Sequence, residues 1–383
     1  MKLPLGFRTA GIAASIKASG KPDLGLIVGD EPLSWALSVT RNRVKAPCVV
    51  RNSARHAAEH PVRALVVNAG NANCANGERG AIDNDDLAGA TARALGLERV
   101  AEVLTASTGV IGKPMPMERV RAGVPRVVAA LQAEDADDFA GAILTTDLIK
   151  KQFEMTLPSG ARLLGIAKGS GMIHPDMATM FAFVLTDARV EQRRLRRLWR
   201  EVVDGTFNQL SVDGDTSTND MAMVLASDRV ATEEHDLAAG LQRVAEKLTR
   251  LIAADGEGAT TLLSVVARRA RSVEEARRAA KAVVQSSLVK AAVHGRDPNW
   301  GRVLSAVGQS GVIADLDNLV VRLQGHEVYR GGSLPFDEPT VAGAMHAPEV
   351  IIELDLAVGE AEATAWGCDL SADYVRINAE YRT

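Results

Sequence analysis

The sequence predicts a mixed α and β fold with a large buried core. Runs rich in β-branched and aromatic residues, typical of strands, recur between stretches whose apolar residues have helical spacing. With 383 residues, of which 46% are hydrophobic and 24% charged, the chain is long and apolar enough for one large domain or two. An apolar run over 177–185, bounded by turn residues, indicates a strand that is buried on both faces.

The other elements follow in chain order from the same periodicities and from residues that begin or end helices. The helix at 83–95, for example, has Asp residues in its first turn and Gly96 just beyond its end, and Ser272 forms a capping box with Glu275. Strands are predicted at 24–28, 35–40, 64–68, 102–106, 260–267, 319–323 and 350–356. Helices are predicted at 83–95, 116–132, 136–144, 190–204, 237–254 and 272–285.

Charge and cysteine content argue against several classes of function. A net charge of −4 gives no electrostatic basis for binding nucleic acid or an anionic membrane. The three cysteines have no CxxC spacing, which argues against a disulfide framework or a zinc site and suits a reducing cytosol. Residues 1–8 lack the apolar core of a signal peptide and no run is long enough to span a membrane, so the protein is expected to be cytoplasmic.

Thr179 stands within the predicted buried strand, where a hydroxyl has few partners. One interpretation is a β-branched residue that fits the pleat and donates its hydroxyl to a neighbouring carbonyl. The other is a masked nucleophile. Cleavage of the bond between Ala178 and Thr179 would give Thr179 a free α-amine, whose ordinary pKa of about 7.7–8.0 allows it to accept the hydroxyl proton. The spacing does not decide between the two.

A second chemical candidate is Ser107-Thr108-Gly109, which follows a predicted strand. Acyl transfer develops negative charge on a carbonyl oxygen, and the Thr108 hydroxyl with the Gly109 N–H could stabilise it. The alternative is a turn between a strand and a helix, which the residues alone favour. The stretch 68–77, rich in Asn and Gly, is likewise either a substrate-facing loop or a turn that uses these residues for positive φ.

The stretch around Thr179 closely resembles the ornithine acetyltransferase (glutamate N-acetyltransferase) family of arginine biosynthesis. The residues that carry this resemblance are Lys-Gly-Ser-Gly-Met at 168–172 and Met-Ala-Thr-Met at 177–180. Further blocks in the same order lie at 68–73, 107–112, 145–147, 212–220, 256–260, 297–302 and 374–383. The resemblance therefore extends from residue 68 to the last residue.

The resemblance implies a set of site residues. The chain would cleave itself between Ala178 and Thr179, Thr179 would be the nucleophile, and Thr108 and Gly109 would hold the oxyanion. The substrate-binding positions are Thr145, Lys168, Thr179, Glu257, Asn378 and Thr383. Among them we expect Lys168 to bind a substrate carboxylate and Glu257 a substrate amine.

The same resemblance implies the architecture. The fold would be α+β, a layered α/β/β/α sandwich of the N-terminal-nucleophile type with a smaller C-terminal α/β lobe, much of it formed by about 285–383. Cleavage would leave an α chain of 1–178 and a β chain of 179–383 that share one main sheet sandwich. The family suggests an α2β2 heterotetramer.

The implied reaction transfers the acetyl group of N2-acetylornithine to L-glutamate through an acetyl-threonine intermediate. A first alternative is an N-terminal-nucleophile amidase or aminopeptidase that uses water as acceptor, and a second is a non-catalytic binding protein. Whether acetyl-CoA also serves as acetyl donor is left open by the sequence, and no other cofactor is expected. No metal is expected either, because the carboxylates over 213–220 lack the Gly and Glu positions of an EF-hand loop.

Three features near the predicted site do not follow from the resemblance alone. Directly after Asp147 the sequence reads Leu-Ile-Lys-Lys and departs from the family pattern, so the conformation of this loop is not implied. His174 is interpreted as structural, because the α-amine of Thr179 already supplies a base. The block at 297–302 is interpreted as a rigid turn near the site, with Trp300 as a packing residue.

Overall fold

The computed structural model describes residues 1–174 and 180–380. The strands are β1 (Phe7–Ile12), β2 (Leu24–Val39), β3 (Val62–Asn71), β4 (Val103–Val110), β5 (Lys151–Thr156), β6 (Arg162–Lys168), β7 (Phe181–Arg189), β8 (Leu210–Ser211), β9 (Met221–Ala231), β10 (Leu262–Ala270), β11 (Val320–Leu323), β12 (His326–Arg330), β13 (Glu349–Asp355) and β14 (Ala361–Cys368). The helices are α1 (Pro47–Ala57), α2 (Gly77–Leu95), α3 (Met117–Ala129), α4 (Asp137–Ala142), α5 (Gln192–Gly205), α6 (Glu234–Ala254), α7 (Val273–Gln285), α8 (Ser287–Gly295), α9 (Trp300–Gln309), α10 (Glu338–Ala344) and α11 (Ala372–Glu380). Within the described ranges, no helix has both the length and the apolar character that a membrane span requires.

The long strand β2 joins two sheets that form the main body. Its first half pairs with β1 and β3, and β3 pairs with β4. Its second half pairs with β9, from which β7, β6 and β5 continue the order. The pairing of β2 is irregular between Val28 and Leu33. The exposed residues 30–32 mark the place where the strand passes from one sheet to the other.

The apolar core lies in three layers around these two sheets. Between the sheets, β3 and β4 pack against β7 and β9. Outside the first sheet, the opposite faces of β2 and β3 pack against α2 and α3. Outside the second sheet, β6, β7 and β9 pack against α5 and α6. The order helix, sheet, sheet, helix confirms the predicted layered α/β/β/α sandwich.

Strand β7 shows why the buried run could be recognised from the sequence. Phe181 and Phe183 belong to the core between the sheets, whereas Ala182 and Val184 belong to the core under α5 and α6. Successive side chains point to opposite faces of a strand, so a strand with core on both faces has no polar alternation.

A smaller sheet carries the C-terminal part of the described chain. Its strand order is β12-β11-β13-β10-β14-β8, and helices α7 and α9 pack on it around a separate core. The first long strand of this sheet begins at Leu262. The predicted extent of the lobe, about 285–383, and the division into chains 1–178 and 179–383 remain predictions.

Strand β2 and helix α2 differ from the sequence prediction in ways that have a physical reason. The strands expected at 24–28 and 35–40 are one strand, β2, because the polar residues between them bend the strand and do not end it. Helix α2 begins at Gly77 and not at residue 83, so Asp83 lies inside the helix, where it pairs with Arg79 at 2.8 Å. Gly80 lies in the first turn of this helix, with Asn73 Oδ1 only 3.1 Å from where its Cβ would be.

Candidate active site

One cavity brings together the predicted site residues that lie within the described ranges. Its volume is about 310 Å³, and its lining includes Thr108, Gly109, Thr145, Lys168, Glu257 and Asn378. These residues come from β4, β6, α11 and two loops, so they are far apart in sequence. The predicted cleavage residues Ala178 and Thr179 and the C-terminal Thr383 lie outside the described residues.

Gly109 is required by the backbone geometry at the end of β4. Its φ is +128°, and a Cβ there would lie 2.4 Å from the carbonyl carbon of Gly70. The register between β3 and β4 shifts at the same point, between Gly70 and Asn71. The close approach of two backbones therefore excludes every side chain at position 109. The peptide group of Gly109 meets the cavity without a side chain in front of it, as an oxyanion site requires.

Amide side chains hold this irregular part of the sheet. Asn219 donates to the carbonyl oxygens of Ala72 and Ser107, both at 2.7 Å. Asn68 accepts a hydrogen bond from the Ser107 hydroxyl at 2.7 Å and donates to the carbonyl of Asn71 at 2.8 Å. Asn68, Asn71 and Asn73 of this loop are buried, and each donates its side-chain amide to a backbone carbonyl. The interpretation of 68–77 as a structural turn therefore fits the contacts better than a substrate-facing loop.

Lys168 at the end of β6 is a buried cation in the cavity wall. Its side chain is 4% exposed, its Nζ lies 3.5 Å from Thr145 Oγ1, and it stands 5.6 Å above the ring centre of Phe181. Burial lowers the pKa of Lys168, and the carboxylates of Asp147 and Asp220 act in the opposite direction. A desolvated ammonium of this kind favours an anionic ligand.

Asp220 is a buried carboxyl near Lys168, and sequence reasoning considered it only as one of the carboxylates over 213–220. Burial raises the pKa of Asp220 well above its usual range, and the Lys168 cation opposes this. Among the described residues, its Oδ2 has no hydrogen-bond partner. The following residue, Met221, donates its N–H to the carbonyl of Met180 at 3.2 Å. Asp220 therefore lies where the described chain resumes after residues 175–179.

Glu257 is fixed in the cavity by two neighbours. Asn378 on α11 donates to its Oε2 at 2.9 Å, and the N–H of Glu257 donates to the carbonyl of Ser170 at 3.0 Å. A Cβ on Gly171 would lie 2.2 Å from the same carboxylate. The Gly-Ser-Gly turn thus leaves the space that the carboxylate of Glu257 occupies.

A buried charge network formed by Asp147, Lys151 and Asp255 lies next to the cavity wall and holds its backbone in place. Lys151 Nζ contacts Asp147 Oδ1 at 2.6 Å and Asp255 Oδ2 at 2.5 Å, and its side chain is 0% exposed. Asp147 also accepts the N–H of Gly169 at 2.6 Å and the N–H of Thr145 at 3.0 Å. Sequence reasoning did not single out Lys151. The signal that could have found it is a lysine opening a strand four residues after an aspartate of a recognised block.

The network sets the ionisation of Asp147. Burial alone would raise the pKa of Asp147, but the ammonium groups of Lys151 and Lys168 outweigh this and lower it to about 2. Asp147 is therefore a carboxylate throughout the neutral range.

The loop over 213–220 fixes the turn that leads toward Thr179. Asp213 accepts the N–H groups of Met172 at 2.6 Å and Ile173 at 2.8 Å. His174 Nδ1 lies 3.0 Å from Ser211 Oγ, and His174 does not line the cavity.

In residues 1–174 and 180–380, no cluster of His, Cys, Asp or Glu has the arrangement of a metal site.

The turn at 297–302 does not line this cavity. Trp300 packs its ring against Tyr329, with ring centres 5.3 Å apart, in agreement with its interpretation as a packing residue. Asp297 and Pro298 line a separate cleft with Pro335. The expectation that this turn lies near the site is therefore wrong for the cavity described here.

Comparisons with known proteins agree with the geometry. A sequence model described as the ArgJ family matches residues 8–383. The arginine biosynthesis bifunctional protein ArgJ of Deinococcus radiodurans is 51% identical over 99% of this chain and 97% of its own length. The protein of the same name from Thermus thermophilus is 51% identical over 100% of both chains.

A solved structure supports the fold over part of the chain. The crystal structure of the arginine biosynthesis bifunctional protein ArgJ from Bacillus halodurans is 38% identical, with a TM-score of 0.52 over 53% of this chain and 100% of that chain. Together with the full-length sequence matches, this shows that the chain belongs to the ArgJ family.

Proposed function

We propose that this enzyme of arginine biosynthesis transfers the acetyl group of N2-acetylornithine to L-glutamate through an acetyl-Thr179 intermediate. Membership of the ArgJ family supports the pathway. The lining of the cavity supports the substrate class, an N-acylated amino acid that carries a second amine.

One observation carries the proposal, namely that Lys168, Glu257 and the pair Thr108 and Gly109 line the same cavity. N2-acetylornithine has a carboxylate, a side-chain ammonium and an acetyl carbonyl. A cation, a carboxylate and a pair of hydrogen-bond donors complement these groups one by one. A cavity of about 310 Å³ is at the small end of ligand sites and suits an amino acid derivative.

The proposed chemistry proceeds in two balanced halves. The Oγ of Thr179 attacks the acetyl carbonyl while its hydroxyl proton passes to the α-amine, and the oxyanion is held by Thr108 and Gly109. The C–N bond to ornithine then breaks, the α-amine returns the proton to the leaving nitrogen, and acetyl-Thr179 remains. In the second half the amine of glutamate attacks this ester, loses a proton through the same α-amine, and restores the hydroxyl. Such a covalent relay predicts ping-pong kinetics.

The register of β6 and β7 supports the assignment of Thr179 as the nucleophile of this cavity. Thr179 lies outside the described residues, but Met180 follows it directly, and Phe181 of β7 pairs with Lys168 of β6. Lys168 lines the cavity. Position 179 is thus two residues along the chain from Phe181, whose pairing partner Lys168 lines the cavity.

The test is to incubate the purified enzyme with N2-acetylornithine and glutamate and to quantify all products. The proposal expects ornithine and N-acetylglutamate in equal amounts, and parallel lines in double-reciprocal plots when both substrates are varied. Free acetate without N-acetylglutamate would favour the amidase instead. Lys168→Met should raise the KM for N2-acetylornithine, whereas Lys150→Met, which changes an exposed lysine nearby, should leave it unchanged.

The wider expectations belong to the same proposal. Acetylation of glutamate from acetyl-CoA, assembly as an α2β2 heterotetramer and a cytoplasmic location rest on the family resemblance. Thiol release from acetyl-CoA, the mass of the native assembly and cell fractionation test them in turn.

A further inference from the structure

A short connection between β14 and α11, residues 369–371, is bonded to the loop that carries Glu257. Ser371 Oγ donates to the carbonyl of Gly258 at 2.6 Å. The loop also packs closely on α11, because a Cβ on Gly258 would lie 2.5 Å from a backbone nitrogen of that helix. Helix α11 begins directly after the connection and carries Asn378, which donates to the Glu257 carboxylate at 2.9 Å. The connection therefore positions both members of this pair.

Asp369 joins the connection to the loop through several hydrogen bonds, and its side chain is fully buried. Its Oδ1 accepts the N–H groups of Thr260 at 2.8 Å and Thr261 at 3.0 Å, and its Oδ2 accepts the Thr260 hydroxyl at 2.5 Å. The N–H of Asp369 donates to the carbonyl of Thr261 at 3.1 Å. Burial alone would raise the pKa of Asp369, but these bonds and one from His294 outweigh this and lower it. The carboxylate is therefore the charged centre of the contact.

His294 reaches Asp369 from the surface of the molecule. It lies in the last turn of α8, its side chain is 42% exposed, and its Nδ1 is 2.7 Å from Asp369 Oδ2. Because a carboxylate only accepts hydrogen bonds, the imidazole donates here. Helix α8 holds the same connection through its backbone and a buried lysine. The N–H of Leu370 donates to the carbonyl of Lys290 at 3.2 Å, and Lys290 Nζ donates to the carbonyl of Cys368.

Lys168, the cation of the cavity, depends on a different carboxylate. Asp147 accepts the N–H groups of Thr145 and Gly169. Neither Asp369 nor His294 lines the cavity. A change at His294 should therefore displace the Glu257 carboxylate and leave Lys168 in place.

We propose that His294 and Asp369 are positioning residues that set the preference of the cavity for ligands with a side-chain amine, because they fix the loop that carries Glu257. This inference rests on the proposed role of Glu257 and assigns to it two residues that lie outside the cavity. A charge-assisted hydrogen bond between a carboxylate and an ammonium group depends on distance and direction. A small displacement of Glu257 therefore weakens the binding of an amine without affecting a ligand that lacks one.

The test measures the binding of ornithine and norvaline to the full-length enzyme by calorimetry. Norvaline is ornithine without the side-chain amine, so the ratio of the two affinities reports the contribution of that amine. The parent should prefer ornithine. The variant His294→Phe should lower the ratio about threefold or more, and Asp369→Asn should lower it further, while the affinity for norvaline stays near that of the parent.

Two variants serve as controls for the loss of the imidazole. His294→Asn keeps an amide nitrogen in place of Nδ1 and should restore the ratio of the parent. His326→Phe changes an exposed histidine of β12 in the same C-terminal sheet and should leave the ratio unchanged. In a Glu257→Gln background the amine has lost its carboxylate, so His294→Phe should have no further effect on the ratio.

Equal weakening of both ligands by His294→Phe would show a purely structural role and overturn the proposal. An unchanged ratio would overturn it as well, and so would a parent that binds the two ligands equally. Acetyl exchange between N2-acetylornithine and glutamate tests the proposed function separately. A parent that exchanges acetyl groups, with a ratio that His294→Phe does not change, would keep the proposed function and refute this inference.

Discussion

Replacing Lys151 by Met is expected to destabilise the protein, because the buried charge network depends on one ammonium group. Lys151 is fully buried and contacts Asp147 Oδ1 at 2.6 Å and Asp255 Oδ2 at 2.5 Å. Methionine has a similar length but no charge, so both carboxylates would stay buried without their cation. Removing one partner of a buried ion pair costs about 3–5 kcal/mol, and the free energy of unfolding should fall by about this amount.

The same substitution should also weaken substrate binding. Asp147 accepts the N–H groups of Thr145 and Gly169, and both flank the position of Lys168 in the cavity wall. A carboxylate without its cation is expected to move or to become protonated, and either change releases these bonds. Because small displacements of binding groups are costly, we expect the KM for N2-acetylornithine to rise by at least about tenfold.

Urea denaturation followed by circular dichroism measures the stability, and steady-state kinetics measure the KM. The control is Lys150→Met, the exposed neighbour, for which the stability should change by less than about 0.5 kcal/mol. Lys151→Met/Asp255→Asn removes one of the two uncompensated charges and should recover part of the loss. A Lys151→Met variant with an unchanged KM and within about 1 kcal/mol of the parent would refute the reasoning, since surface pairs contribute that little.

Three further predictions follow from the site. Gly109→Ala should lower kcat for acetyl transfer by about 100-fold or more through displacement of the oxyanion donors. Gly112→Ala is the control, because φ is positive there as well, at +79°, but no atom lies within 4 Å of the added Cβ; it should lower the stability through backbone strain and keep most of the activity. Gly171→Ala should push the Glu257 carboxylate aside and raise the KM for N2-acetylornithine as Glu257→Gln does; additive effects in the double variant would contradict this. The pKa of Asp147 is lowered to about 2 in the folded state, so its contribution of about 2 kcal/mol is present above about pH 4 and is lost as the pH falls to 2. The difference in unfolding midpoint between the parent and Asp147→Asn should therefore narrow from pH 4 to pH 2, and a constant difference would count against it.

Elements with a clear periodicity could be predicted from the sequence. Helix α5 was expected at 190–204 and spans Gln192–Gly205. Its apolar residues recur at helical spacing opposite a charged face, and this pattern is incompatible with a strand. Ser272 caps α7 by accepting the N–H of Glu275, as the capping box predicted. Strand β2 was divided in two because local polarity indicates a turn, whereas the sheet partners on either side keep the strand extended.

Contacts between residues far apart in the sequence also limited what could be predicted about the site. The resemblance named Thr108, Gly109 and Glu257, but the contacts behind them depend on long-range pairing that no local pattern contains. Lys151 and Asp255 are separated by more than a hundred residues along the chain and meet only when β5 packs under the end of α6.

The most direct measurement of the central claim is mass spectrometry of the purified protein after exposure to N2-acetylornithine without glutamate. We expect two polypeptides, 1–178 and 179–383, with one acetyl group on the peptide that begins at Thr179, and the acetyl group should disappear when glutamate is added. The Thr179→Ala variant should remain a single chain of 40.6 kDa and carry no acetyl group. A variant that still divides into two polypeptides and still acetylates glutamate would contradict the account.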